Sequence, residues 1–206
     1  AGRLTGTHPE ARALRSSPMR PLIGLAVLLA VGSPALAQAP ATAGENLWIK
    51  AEPDAGGGAA GRVSAGIDIP APPSVVWRVM LDCPRAPRFV PKLKSCRVVE
   101  GDAAGGSDVR EHRLAGPLGT VRNIFRSTYT PERRIVTARV AGDLRTAEGE
   151  WRLQPIDGGR GTRVSYDSRM ALNAPLPGGM VRQAMRRDTP AVLRALRREA
   201  TAEAAR

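Results

Sequence analysis

From Arg62 to Leu172 the chain is written mostly in alternation. Val63, Ala65, Ile67 and Ile69 alternate with Ser64, Gly66 and Asp68, the period of a strand with one face buried. Pro70-Ala71-Pro72-Pro73 stops that strand. Ser74 is placed to act as an N-cap, and Val75, Val76, Val79 and Met80 then form one apolar stripe with Trp77 beside it, which predicts a short helix. Pro84 and Pro87 break it, leaving a second short helical turn through Phe89-Val90-Pro91. Strand patterns follow over 95–100, 108–114, 120–130, 135–140, 145–155 and 162–172, each bounded by Gly, Pro or Asp turn residues. Beyond Gly179 the period becomes helical. Val181, Met185, Val192 and Leu196 share one side, with Arg182, Arg186, Arg187, Arg194, Arg197 and Arg198 opposite or flanking, and Pro190 is expected to kink the helix.

A twisted antiparallel sheet with one apolar face needs a cover, and the last helix is the only element long enough. The expected class is therefore α+β. About six to seven strands wrap around a long C-terminal helix, two short helices follow the first strand, and the domain spans 62–206.

The N-terminal stretch has a different grammar. Met19-Arg20-Pro21 precedes an apolar run of ten residues, 22–31, then Gly32-Ser33-Pro34 and Ala35-Leu36-Ala37. A basic start, a short apolar run, a helix-breaking stretch and an A-x-A site are the layout of a secretory signal peptide over 19–37. The run is too short for a membrane-spanning helix, which needs about 20 residues. Residues 1–18 read as an upstream artefact. Residues 38–61, rich in Ala, Gly, Pro and Thr, read as a flexible lead-in with a short strand at 47–50. The expected location is the periplasm.

Export changes the meaning of the charge. The chain carries a net +12; residues 1–37 hold Arg3, Arg12, Arg15 and Arg20 against Glu10, so about +9 stays with the rest. That excess suits solubility and attraction to anionic surfaces. Nucleic acid is excluded as a partner by export and by the lack of a basic platform of stacking aromatics.

Three stretches together carry a family likeness. They are Ile67-Asp68-Ile69-Pro70-Ala71-Pro72-Pro73-Ser74-Val75-Val76-Trp77; Pro87-Arg88-Phe89-Val90-Pro91 followed by Cys96-Arg97-Val98-Val99; and Gly149-Glu150-Trp151-Arg152-Leu153 followed by Gly161-Thr162-Arg163-Val164-Ser165-Tyr166. In this order they resemble the START-like, polyketide cyclase/dehydrase and lipid-transport (SRPBCC) superfamily, and within it the subgroup that includes ubiquinone-binding proteins. The resemblance covers about residues 62–205. It implies a helix-grip fold, in which a curved sheet grips the C-terminal helix around a cavity for lipids, sterols, quinones or polyketides. Some members are enzymes and others carriers, so the fold alone does not choose.

The chemistry along the chain is sparse. His112 is the one histidine outside the N-terminal stretch, and without Cys or carboxylates at ligand spacing it makes no zinc site. Glu148, Glu150 and Arg152 share a strand face that reads as solvated, with salt bridges. No catalytic residue, metal or cofactor is assigned. Cys83 and Cys96 are expected to join as a disulfide in an oxidising compartment; two separate buried thiols are the alternative. The expected ligand wall comprises Phe125, Tyr129, Trp151, Tyr166 and Met170 on the strands, Met180 and Met185 on the helix, and His112 as a polar group; the alternatives are an ordinary surface strand position for His112 and a filled core for the rest. The functional expectation is an exported carrier of a hydrophobic small molecule. The alternatives are a cyclase- or hydrolase-type enzyme using the same cavity, and a membrane-docking module whose Arg186, Arg187, Arg197 and Arg198 meet anionic lipid.

Overall fold

A computed structural model describes residues 44–54, 58–116, 119–173 and 177–206. The expected signal peptide and the stretch before it lie outside the described residues. Eight strands form one antiparallel sheet: β1 (Trp48–Pro53), β2 (Ala60–Ile69), β3 (Leu93–Asp102), β4 (Ser107–Gly116), β5 (Gly119–Thr130), β6 (Arg134–Gly142), β7 (Leu144–Ile156) and β8 (Gly161–Leu172). Helix α1 (Pro73–Leu81) follows β2, and α2 (Gly178–Ala204) closes the chain.

The strand order is β1-β2-β8-β7-β6-β5-β4-β3. Strands β3 to β8 therefore form a continuous meander, and β8 returns to lie beside β2. The connection through α1 carries the chain from the middle of one half to the far edge. Irregularities in the β3–β4, β5–β6 and β7–β8 pairings increase local twist and bend the sheet, which gives it a concave face.

Three local expectations need correction. The lead-in supplies a full edge strand, β1, paired with β2 from Trp48↔Gly66 to Pro53↔Gly61, because Leu47, Ile49 and Ala51 alternate with outward-facing residues and pack towards the core. The second short helix is only a single 3-10 turn, Ala86–Arg88, since Pro84 and Pro87 remove the backbone donors a longer helix would need. Helix α1 is capped by Pro72 rather than by Ser74, with no side-chain cap bond. Helix α2 runs on through Pro190 without ending there.

Odd-numbered residues of β2 and even-numbered residues of β8 share the concave face. Ile67, Ile69 and Val164 are completely buried there under Leu193 and Leu196 of α2 and Val76 and Val79 of α1. One polar clasp ties three parts together. The buried carboxylate of Asp68 accepts from Nε and Nη2 of Arg163 (2.8 Å each) and from Asn46 (2.8 Å), while Arg197 of α2 donates to the Asp68 carbonyl.

Candidate ligand-binding site

Helix α2 does not cover the concave face evenly. Its N-terminal half lies on β1 and β2, where Val181 and Met185 pack on Ala59 and Val63. Gly61 allows this approach, since a Cβ there would stand 2.9 Å from the Met185 sulfur. Over β4 to β7 the cover is instead the end of α1 and the irregular segment 82–92. A cavity of about 110 Å³ remains beneath them.

The strand wall of this cavity is built from alternate residues in register. Arg110 of β4 pairs with Phe125 of β5, Asp108 with Ser127, and His112 with Asn123; Tyr129 pairs with Ile135 of β6, and Ile135 with Trp151 of β7. Met80, Leu81, Ala86, Phe89 and Val90 roof it, and Val192 and Leu196 close it from α2. The rings are fixed edge-on: His112 against Phe125 (4.8 Å, 88°) and Trp77 against Tyr129 (5.9 Å, 82°).

Four of the expected wall residues, Phe125, Tyr129, Trp151 and His112, thus meet in one cavity. The other four do not line it. Tyr166 stacks on Trp151 (4.0 Å, 25°) and stands behind it as a bulkhead. Met170 and Met185 belong to the separate packed cluster under the first half of α2. Met180 is half exposed, because helical spacing puts Val181 and Met185 on the sheet and turns Met180 away.

The polar side of the wall is the part that sequence reasoning missed. Arg110, only 7% exposed, grips Asp108, 1% exposed, through three contacts of 2.9–3.1 Å and also donates to the Leu81 carbonyl at 3.1 Å. Its guanidinium stands 5.9 Å from the Tyr129 ring. Among the described residues the buried Tyr129 hydroxyl makes no hydrogen bond of good geometry, and Ser127 and Asp108 are the polar side chains that interact with it. Burial pushes its pKa up to about 12, so it is a neutral donor at any physiological pH.

Burial, reinforced by the Arg110 charge, lowers the His112 pKa to about 4. A folded-state pKa below the unfolded value of about 6.5 means that the unfolded chain binds the proton first. Stability contributed through His112 is therefore expected to fall as pH drops from about 6.5 to 4. Imidazole NMR of residues 38–206 should show its one histidine titrating near 4; a midpoint near 6.5 would place His112 in solvent.

Cys83, at the end of α1, is bonded to Cys96 of β3, with Cα atoms 5.4 Å apart. The bridge closes the segment that roofs the cavity.

The model of the polyketide cyclase / dehydrase and lipid transport family matches residues 69–197, which takes in the cavity, its roof and most of α2. The chain belongs to that family. No curated protein sequence matches this family member significantly. Among solved structures it is similar to a protein from Thermus thermophilus, at 26% identity over 68% of this chain and 97% of that one, with a TM-score of 0.59. It also shares its fold with an aromatase/cyclase from Streptomyces (19% identity, 68% and 93% coverage, TM-score 0.59). A third relative in fold is a STAR-related lipid transfer protein from Xanthomonas axonopodis (15% identity, 78% and 96% coverage, TM-score 0.65). The helix-grip expectation holds, with eight strands in place of six or seven.

Proposed function

We propose that this family member is an exported carrier or sensor of an apolar small molecule bearing one hydrogen-bond-accepting oxygen, such as a quinone, a lipid or a polyketide-like compound. Family membership supports an apolar ligand or a cyclase-type substrate in the cavity. The observation that carries the finer reading is the Tyr129 hydroxyl, buried, neutral and without a well-formed hydrogen bond on a wall that is otherwise largely aromatic and aliphatic. A buried donor left without an acceptor costs roughly 1–3 kcal/mol, and a ligand oxygen would relieve that cost. Arg110 beside it strengthens the same preference for an acceptor. The apolar stretch over 22–31 and the disulfide support export.

Typical ligand sites hold roughly 300–1,000 Å³, well above the 110 Å³ found here. Loading therefore involves displacement of the 82–92 roof. That segment has little regular structure and is held to α2 by ion pairs, Arg85 to Glu199 and Glu203, Arg88 to Glu199, and Lys92 to Asp188.

The test is native mass spectrometry of residues 38–206 purified from a periplasm, followed by organic extraction. A stoichiometric apolar compound with a carbonyl or ether oxygen is the expected result. An empty protein whose melting temperature no lipid or quinone shifts would overturn the reading. For Tyr129→Phe we expect unchanged or slightly higher stability, since the hydroxyl lost has no well-formed bond, but roughly 2- to 12-fold weaker ligand binding, one net hydrogen bond. Equal loss of stability and binding would show that Tyr129 only fills space.

A further inference from the structure

An open groove of about 390 Å³ lies on the other side of the cavity's roof. The two share elements. On the roof, Ala86 and Val90 face the cavity, Pro87, Arg88 and Pro91 face the groove, and Phe89 borders both. On α2, Val192 and Leu196 face the cavity, while Ala191, Arg194, Ala195 and Arg198 face the groove.

The groove lining divides by chemistry into an apolar floor of prolines, alanines and Phe89 and a rim of four arginines, Arg88, Arg187, Arg194 and Arg198. Among the described residues no carboxylate lines it. Nearby acids draw on three of the cations: Glu199 pairs with Arg88, Asp188 with Arg187, and Glu45 with Arg194. Among the described residues Arg198 has no such partner. Arg186 and Arg197, expected from the sequence to belong to a basic docking face, are directed elsewhere, towards the backbone carbonyls of Ala51 and Asp68.

We propose that this groove docks the protein on an anionic bilayer, seating a phosphodiester headgroup among the four guanidinium groups with its glycerol on the proline floor. Arginine suits this role because its planar fork matches phosphate oxygens. Charge complementarity selects the occupant: four cations, three of them shared with neighbouring acids, and no acid in the lining, on a chain that keeps about +9 beyond residue 37. A headgroup seated there competes with Glu199 for Arg88. It thus loosens one of the ion pairs that hold the roof to α2, on the side from which the cavity would be loaded.

The proposal does not rest on the cavity's ligand, and the two are read separately. All of the described sheet, the disulfide and α2 lie within 47–204, so residues 38–206 serve for the test. They are co-sedimented with vesicles of phosphatidylglycerol and phosphatidylcholine, and with phosphatidylcholine alone. Binding to the anionic vesicles only is expected. Each basic residue near such a surface is worth about 1 kcal/mol, so Arg194→Gln with Arg198→Gln should weaken it roughly 30-fold. Arg145→Gln with Arg160→Gln, exposed residues outside the groove, removes the same charge and should change binding less than about threefold. Equal losses in the two pairs would overturn the groove in favour of diffuse attraction, as would no vesicle binding at all. Tight binding of soluble glycerol phosphate, with vesicles failing to compete, would make it a site for a free anion and also overturn the proposal. Retention of the extracted cavity compound in every variant shows that the carrier reading stands or falls independently.

Discussion

Arg110→Met should unfold this domain more readily than any other single change in the cavity wall, by about 3–5 kcal/mol. The reason lies in its partner. Asp108 is 1% exposed and draws all of its side-chain hydrogen bonds from Arg110. Removing the guanidinium leaves a carboxylate in the interior without its counter-ion, with only the neutral hydroxyl of Tyr129 near it, which costs far more than the pair itself contributes. The double change Asp108→Leu with Arg110→Met removes both charges and should recover most of the loss. Urea unfolding of the wild type, the single and the double variant measures both effects. A single-variant loss below about 1 kcal/mol would mean that water reaches Asp108, and with it the polar side of the cavity.

That pair also shows where the sequence stopped being readable. The element order, the concave faces and the covering helix all follow from period, since Ile67, Val164, Trp151 and Tyr129 each fall on the inward positions their strands predict. The solvated reading of Glu148, Glu150 and Arg152 follows in the same way, as Glu150 pairs with Arg134 and Arg152 on the outer surface. Asp108, Arg110 and His112 defeat the same rule. Three polar residues at alternate positions look like a solvent face, yet they point inward. The turn held the missing signal. If Gly116 and Gly119 close a two-residue loop, counting back pairs Arg110 with Phe125 and Asp108 with Ser127, which places them on the face of Phe125 and Tyr129. The division of the concave face was less accessible. It depends on where along the sheet α2 crosses, and that is decided by Met185 settling over Gly61, a tertiary contact without a local pattern.

Breaking the bond between Cys83 and Cys96 should lower stability by about 3 kcal/mol, the chain-entropy value for a loop of this length. For a domain of this size the loss corresponds to a melting temperature lower by roughly 6–12 °C. The consequence for binding is separate from the consequence for stability. The bridge joins the end of α1 to β3, beside His112 in the β3–β4 register, so it fixes both ends of the roof while leaving the stretch between them free to lift. Without it the roof is held chiefly by the ion pairs of Arg85, Arg88 and Lys92 to α2, most of them partly exposed and individually weak. Ligand should therefore still enter a reduced protein but leave it faster, so that affinity falls through the dissociation rate. Thermal unfolding and ligand release are compared in oxidised protein, in protein treated with a phosphine reductant, and in Cys83→Ala with Cys96→Ala. Reduction and substitution should agree in both readouts, because both cut the covalent tie and the alanines keep the sites apolar. A melting temperature unmoved by reductant would show that the bond is absent from the folded protein. A lower melting temperature with unchanged release would show that the roof does not open at this segment, and would move the entrance of the cavity elsewhere.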